Sequence, residues 1–226
     1  MQRGKLIVIE GTDCSGKKTQ AEKLLENLNK EGINIFKYSF PMYNTPTGKI
    51  VGGPYLGKSY ICDGWFNEGA ANVDSLVASA YFAADRRYNI DIINKHLENG
   101  ENVILDRYVE SNMAHQGGKI KDKDEREKLY KKLDTLEFDI MELPRPDAII
   151  FLYMPFEYAC ILKNSREELP DQHESNIEHL QSAENAYLEL TEKYGYIKIN
   201  CVKDDVIRTI SDIAEEVEKK VKEVLK

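Results

Sequence analysis

Within these 226 residues no apolar run approaches the length of a membrane span, and the N-terminus has no hydrophobic signal region. The first absence excludes a helical membrane anchor, and the second points to a cytoplasmic protein with no membrane partner. Cysteine is sparse as well. Cys14, Cys62, Cys160 and Cys201 stand far apart without a C-x-x-C pair, and no His lies at metal-ligand spacing. That excludes a disulfide scaffold or a zinc ribbon and reads as thiols in a reducing compartment. Positive charge is in deficit, 31 Lys and Arg against 39 Asp and Glu, for a formal net charge of −8. Any basic surface would have to be local, so no nucleic-acid partner is expected. Internal repeats and low-complexity linkers are also missing, and the length suits one domain.

What is there gathers at Lys5 to Gln20, KLIVIEGTDCSGKKTQ. Leu6, Ile7, Val8 and Ile9 form an apolar run of strand length bounded by polar residues. Gly11, Gly16 and Lys17 follow at the G-x(4)-G-K spacing of a phosphate-binding loop. Glycines let successive backbone N–H groups turn inward around an anion, and Lys17 adds a mobile positive charge. From Thr19 to Lys30 the apolar residues Ala21, Leu24, Leu25 and Leu28 fall at helical spacing, which places the anion at a helix N-terminus. The full pattern has Ser or Thr directly after the lysine, because that hydroxyl reaches Mg²⁺. Here the residue is Lys18, and Thr19 lies about 100° further round the helix.

Strand and helix patterns then alternate. Gly32 ends the first helix, and Ile33 to Phe40 read as a second strand closed by Pro41. The next thirty residues are dense in Gly, Pro and aromatics, the mark of a functional loop or of one with a short helix of its own. Ala70 to Asn99 predicts a long helix with Val73, Leu76, Val77, Ala80, Tyr81 and Ala84 along one face, and with Phe82 and Asp85-Arg86-Arg87 in its middle. Asn102 to Leu105 is a third strand delivering Asp106-Arg107-Tyr108 to the carboxyl end of the sheet, where chemistry collects in open α/β folds. Ser111 to Lys119 reads as a polar loop or helix, Lys121 to Leu136 as a charged helix and Ala148 to Met154 as a fourth strand. A mixed charged segment leads to a helix from Ser175 to about Tyr194 and a short strand, Ile197 to Cys201. A last helix from Asp204 to Leu225 is expected to turn Val206, Ile210, Ile213, Val217, Val221 and Val224 inward. The alternation means a parallel sheet covered on both faces.

Taken together, IEGTDCSGKKTQ, Phe40-Pro41, YFAADRR, DRYVESNMAHQGG, PRPDAIIFLYM and DQHE resemble the thymidylate kinase family, in this order and across essentially the whole chain. The resemblance implies an α/β, P-loop NTPase-type fold, a five-stranded parallel sheet with helices on both faces. It implies one kinase domain over 1–226 with a lid segment at about 163–175, a homodimer, and transfer of the γ-phosphate of ATP to dTMP with Mg²⁺. By the same resemblance the loop Gly11-Thr12-Asp13-Cys14-Ser15-Gly16, with Lys17, Lys18 and Thr19, binds ATP. Lys17, Asp13, Arg107 and Arg166 would act in catalysis, Arg107 gripping the dTMP phosphate and Arg166 adding positive charge from the lid. Asp106 would organise the metal. Phe82 would stack on thymine while Arg86 donates to a base carbonyl, and Asn112 and Gln116 would read the base. Phe40, Pro41, Tyr43, Ser111, His115 and Glu174 complete the expected acceptor contacts.

The residue types suit the chemistry. A phosphate monoester has a second pKa near 6, so the attacking oxygen is already anionic and needs no general base. Lys, Arg, Mg²⁺ and backbone amides must align and neutralise two anions. Besides Lys18, the chain departs from the family in having Met42 and Tyr43 where many members carry an arginine, and His115 where an aromatic ring often packs on the sugar. Two alternatives stand beside this reading: a kinase for another nucleoside or nucleotide, and a nucleotide-binding relative that has lost catalysis.

Overall fold

The computed structural model describes residues 2–163 and 176–226. The apolar run at Leu6 is β1, Leu6–Gly11, buried along its whole length. It is the middle of a five-stranded sheet ordered β2-β3-β1-β4-β5, with β2 at Ile35–Ser39, β3 at Asn102–Asp106, β4 at Ala148–Tyr153 and β5 at Ile197–Asn200. Every neighbouring pair in it is parallel. Side chains alternate across a strand, so each central strand feeds two cores. Leu6, Val8, Val103, Leu105 and Phe151 enter one, and Ile7, Ile9, Ile104, Ile150 and Leu152 enter the other. The first core is closed by α3 (Ser75–Glu98), α4 (Val109–Gly117), α5 (Lys123–Asp134) and α7 (Ile177–Tyr194). The second is closed by α1 (Lys17–Lys30) and α8 (Ile210–Leu225). A short helix in the long loop, α2 (Pro46–Ile50), and α6 (Phe156–Lys163) complete the helices named here. The sequence reading assigns no element to α6.

Helix starts follow their caps. Asp74 Oδ1 accepts from the N–H groups of Leu76 and Val77, so α3 begins at Ser75 and not at Ala70, which belongs to a separate 3₁₀ turn. The last helix begins later than expected, at Ile210, where Thr209 accepts from Asp212 N–H. Asp204 and Asp205 both take positive φ, 50° and 60°, the geometry of a two-residue hairpin turn joining β6 (Val202–Lys203) to β7 (Val206–Ile207). Val206 and Ile210 consequently lie outside the core, 65% and 52% exposed.

Of the apolar face read along the long helix expected at Ala70 to Asn99, Val73 is buried and Tyr81 packs half-buried against Tyr55, while the rest points outward. Ala78, Ser79, Ala83, Arg86, Ile90, Ile93 and Leu97 face inward, whereas Leu76, Val77, Ala80 and Ala84 are exposed, together with Tyr88 and Ile92. The loop after β2 folds through α2 into a wide π-type turn, Val51–Tyr55, and builds a third small core with Ala70, Val73 and Ala78. Gly52 leaves room there for two side chains. A Cβ on it would sit 2.7 Å from the Tyr43 ring and 2.4 Å from Ile61. Among the described residues no helix is long and apolar enough to cross a membrane.

Candidate active site

The carboxyl ends of β1 and β3 open into a cavity of about 620 Å³. At one end is the phosphate loop. Thr12 Oγ1 donates to Met154 O at 2.7 Å and accepts from Met154 N–H, tying the loop to the end of β4. Gly11 allows close packing, since a Cβ there would lie 2.4 Å from Ser15 Oγ and 2.6 Å from Leu152 O. Gly16, at φ 79°, turns the chain into α1. Gly11, Thr12 and Ser15 therefore shape the loop from behind, while Asp13, Cys14, Gly16, Lys17, Lys18 and Thr19 line the cavity. Lys17 is buried, its Nζ donating to Gly11 O at 3.0 Å and Thr12 O at 2.8 Å. Burial, helped by the Arg107 charge, lowers its pKa to about 8 against the opposing pull of Asp13, Asp106 and Glu10. Lys18 reaches solvent.

Asp106 ends β3, buried, and Arg107 follows in the left-handed region at φ 68°. Strain at a non-glycine residue needs a rigid surround, and Glu10 supplies much of it. This fully buried carboxylate accepts from Tyr108 N–H, Ser111 N–H, Ser111 Oγ and Tyr187 Oη, at 2.7–3.0 Å. The hydroxyl of Ser111, read from sequence as an acceptor contact, is thus engaged with Glu10. Burial disfavours the Arg107 charge, but Tyr187, Glu10, Asp13 and Asp106 more than offset that and hold it firmly protonated.

At the other end Phe82 and Arg86, one helical turn apart on α3, both face the cavity. Phe82 packs edge-on against Tyr55, ring centroids 5.6 Å apart. Arg86, expected by resemblance to donate to a base carbonyl, is already paired within the protein. Its Nε donates to Glu137 Oε2 at 2.8 Å, its Nη2 to Glu137 Oε1 and its Nη1 to Tyr108 O at 3.3 Å. Asn112 Nδ2 also donates to Glu137 Oε1, at 3.0 Å. Asn112 Oδ1 and both amide atoms of Gln116 are buried without a hydrogen-bond partner. His115 shares a hydrogen bond with His179, Nδ1 to Nε2 at 3.2 Å, and stacks on it. Phe40, Pro41 and Tyr43 line the wall between the two ends, and Lys58 lies 5.2 Å over the Tyr43 ring. Arg166 and Glu174 fall outside the described residues. The sequence reading missed Glu10, Glu137, Lys58 and Tyr187.

For a metal, Asp106 and the partnerless buried Oδ2 of Asp13 offer hard oxygen donors at the phosphate end. Among the described residues no group of three or more His, Cys, Asp or Glu side chains could hold an ion unaided. That donor set fits Mg²⁺, which takes one or two carboxylates and completes its shell with phosphate oxygens and water.

A parallel sheet with a phosphate loop at its central strand and an Asp-Arg pair at the next defines a P-loop nucleotide-binding protein. Residues 9–213 match the family model for thymidylate kinase, and the chain belongs to the thymidylate kinase family. It is 30% identical over 203 residues to the probable thymidylate kinase of Thermococcus kodakarensis, covering 88% of this chain and 90% of that protein. To the thymidylate kinase of Homo sapiens it is 31% identical over 159 residues, 70% of this chain and 65% of the relative. The solved thymidylate kinase of Candida albicans shares the fold, with a TM-score of 0.72 at 24% identity over 99% of this chain and 94% of that one.

Proposed function

We propose that this cavity is where the family's reaction takes place, ATP phosphorylating dTMP to give dTDP and ADP. One observation carries the placement of the acceptor. A single cavity joins the Lys17 loop at one end to the unpartnered amide atoms of Asn112 and Gln116 beside Arg86 at the other. Thymine presents carbonyl, N–H and carbonyl along one edge. Asn112 Oδ1 would accept the ring N–H, and Arg86 and Gln116 would donate to a carbonyl, with Phe82 against the ring face. Buried polar atoms without partners cost stability unless a ligand completes them.

Lys17 and the loop amides hold the donor phosphates, and Arg107, kept charged by its surround, holds the acceptor phosphate. Asp13 faces the acceptor side. Bound Mg²⁺ would neutralise charge on the transferring phosphates, with Asp106 and Asp13 as its protein anchors. Because the acceptor oxygen is already anionic near neutral pH, these residues align and neutralise charge and move no proton. The chain is read as one kinase domain over 1–226 with a lid at about 163–175, which would bring Arg166 and Glu174 to the site. The outward apolar stripe of α3 supports a homodimer, and the acidic net charge supports a reading without nucleic acid.

An ADP-release assay with Mg·ATP and dTMP, dUMP, dGMP or UMP tests this. Turnover is expected to be greatest with dTMP. ATP binding with no turnover of any acceptor would leave a nucleotide-binding protein, and preference for another acceptor would move the base assignment.

A further inference from the structure

Glu137 occupies a π-type turn, Thr135–Ile140, at the end of α5, one residue beyond the charged helix expected from the sequence. It is fully buried, and its two oxygens receive three donors from the proposed base subsite, two from Arg86 and one from Asn112. We propose that Glu137 is a positioning residue that orders Arg86 and Asn112 together and so sets selectivity for a ring edge with carbonyls flanking an N–H. The proposal rests on the reading of this cavity as a dTMP site.

The geometry acts in two ways. A bidentate pair fixes the plane of the guanidinium, so the N–H groups of Arg86 that remain for a ligand point in set directions. Asn112 Nδ2 is committed to Glu137 at 3.0 Å and to Ser79 O at 3.5 Å, which determines that Oδ1, the acceptor end, is the end left unpartnered. An amide held this way accepts from a ring N–H and repels a ring that offers an acceptor at that position, as cytosine does. Charge matters as well. Arg86 is 2% exposed, and the carboxylate neutralises it where it lines the cavity. An unpaired guanidinium there would attract a nucleotide's phosphate to the end meant for its base.

Steady-state kinetics of Glu137→Gln with dTMP and dCMP, together with calorimetric binding of thymidine, tests the proposal. The amide keeps the size and loses the charge and one acceptor. The dTMP KM is expected to rise by about tenfold or more with kcat within about threefold, and the dTMP over dCMP preference to narrow by a similar factor. Thymidine, which has no phosphate, should weaken as much as dTMP, while the ATP KM stays unchanged. Inorganic phosphate should become a better competitor of dTMP. Removing one partner of a buried pair is destabilising, so the double variant Arg86→Met, Glu137→Met, which removes both charges, is measured alongside and should show the same loss of base preference. A Glu137→Gln protein of lower Tm whose dTMP KM and base preference match wild type would overturn the proposal, as would a double variant with wild-type preference. A wild-type protein that neither turns over dTMP nor binds thymidine would remove the site reading itself, along with the proposal.

Discussion

In the proposed reading of the cavity, donor binding turns on Lys17. Lys17→Ala is expected to lower turnover by on the order of 10²-fold or more, because transition-state charge loses a direct partner. Its pKa of about 8 adds a pH signature. Only the protonated amine attracts phosphate, so the affinity for ATP should hold below pH 8 and fall above it. Titration of ATP affinity from pH 6 to 9.5 checks this, and a flat profile would place Lys17 away from the phosphates. At Lys18 the expectation is milder. The side chain reaches solvent, so Lys18→Ser should leave Tm unchanged and lower the Mg²⁺ concentration for half-maximal rate. Glu110 makes a third case. It is buried with Oε2 unpartnered, and burial, with the Glu10 charge, raises its pKa from the ordinary 4.5 to about 8. The folded state therefore binds more protons than the unfolded state between those values, and stability falls as pH rises through that window. Glu110→Gln should flatten this fall, by up to about 5 kcal/mol at about 1.4 kcal/mol per tenfold change in proton affinity. Parallel Tm profiles for the two proteins between pH 5 and 8 would contradict it.

Among the elements, α3 presents two faces with different uses. Its inward face places Phe82 and Arg86 at the base end, and its outward face exposes Leu76, Val77, Tyr88 and Ile92. If that stripe meets a second copy, Val77→Glu with Tyr88→Glu should convert a dimer to a monomer in sedimentation analysis, with Tm unchanged at low protein concentration. A monomeric wild type would refute the pairing. The same helix shows what was legible in the sequence. Periodicity located the apolar residues of α3, but it could not distinguish a stripe that faces a core from one that faces outward, because both obey the same spacing. The phosphate loop and the strands were readable because their signals are local. Glu10 and Glu137 were not, since their roles lie in partners 98 and 51 residues away, Tyr108 and Arg86. The start of α8 moved because two aspartates accept positive φ and make a hairpin turn, which composition does not announce.

For the molecule as a whole, two cores hold the sheet rigid while a third, smaller one supports the loop over the cavity. The two ends of that cavity are built on different elements, the phosphate end on β1, α1 and β3 and the base end on α3 and α4. Binding at one end should therefore be open to damage without the other. Calorimetric titration of Phe82→Ala with dTMP and with ATP tests this most directly. The expected result is dTMP weakened by roughly 1–3 kcal/mol, on the scale of base–aromatic stacking, with ATP affinity unchanged. A sharp loss of Tm with dTMP affinity intact would contradict it, because Phe82 would then belong to the core beside Tyr55 and the base would bind elsewhere.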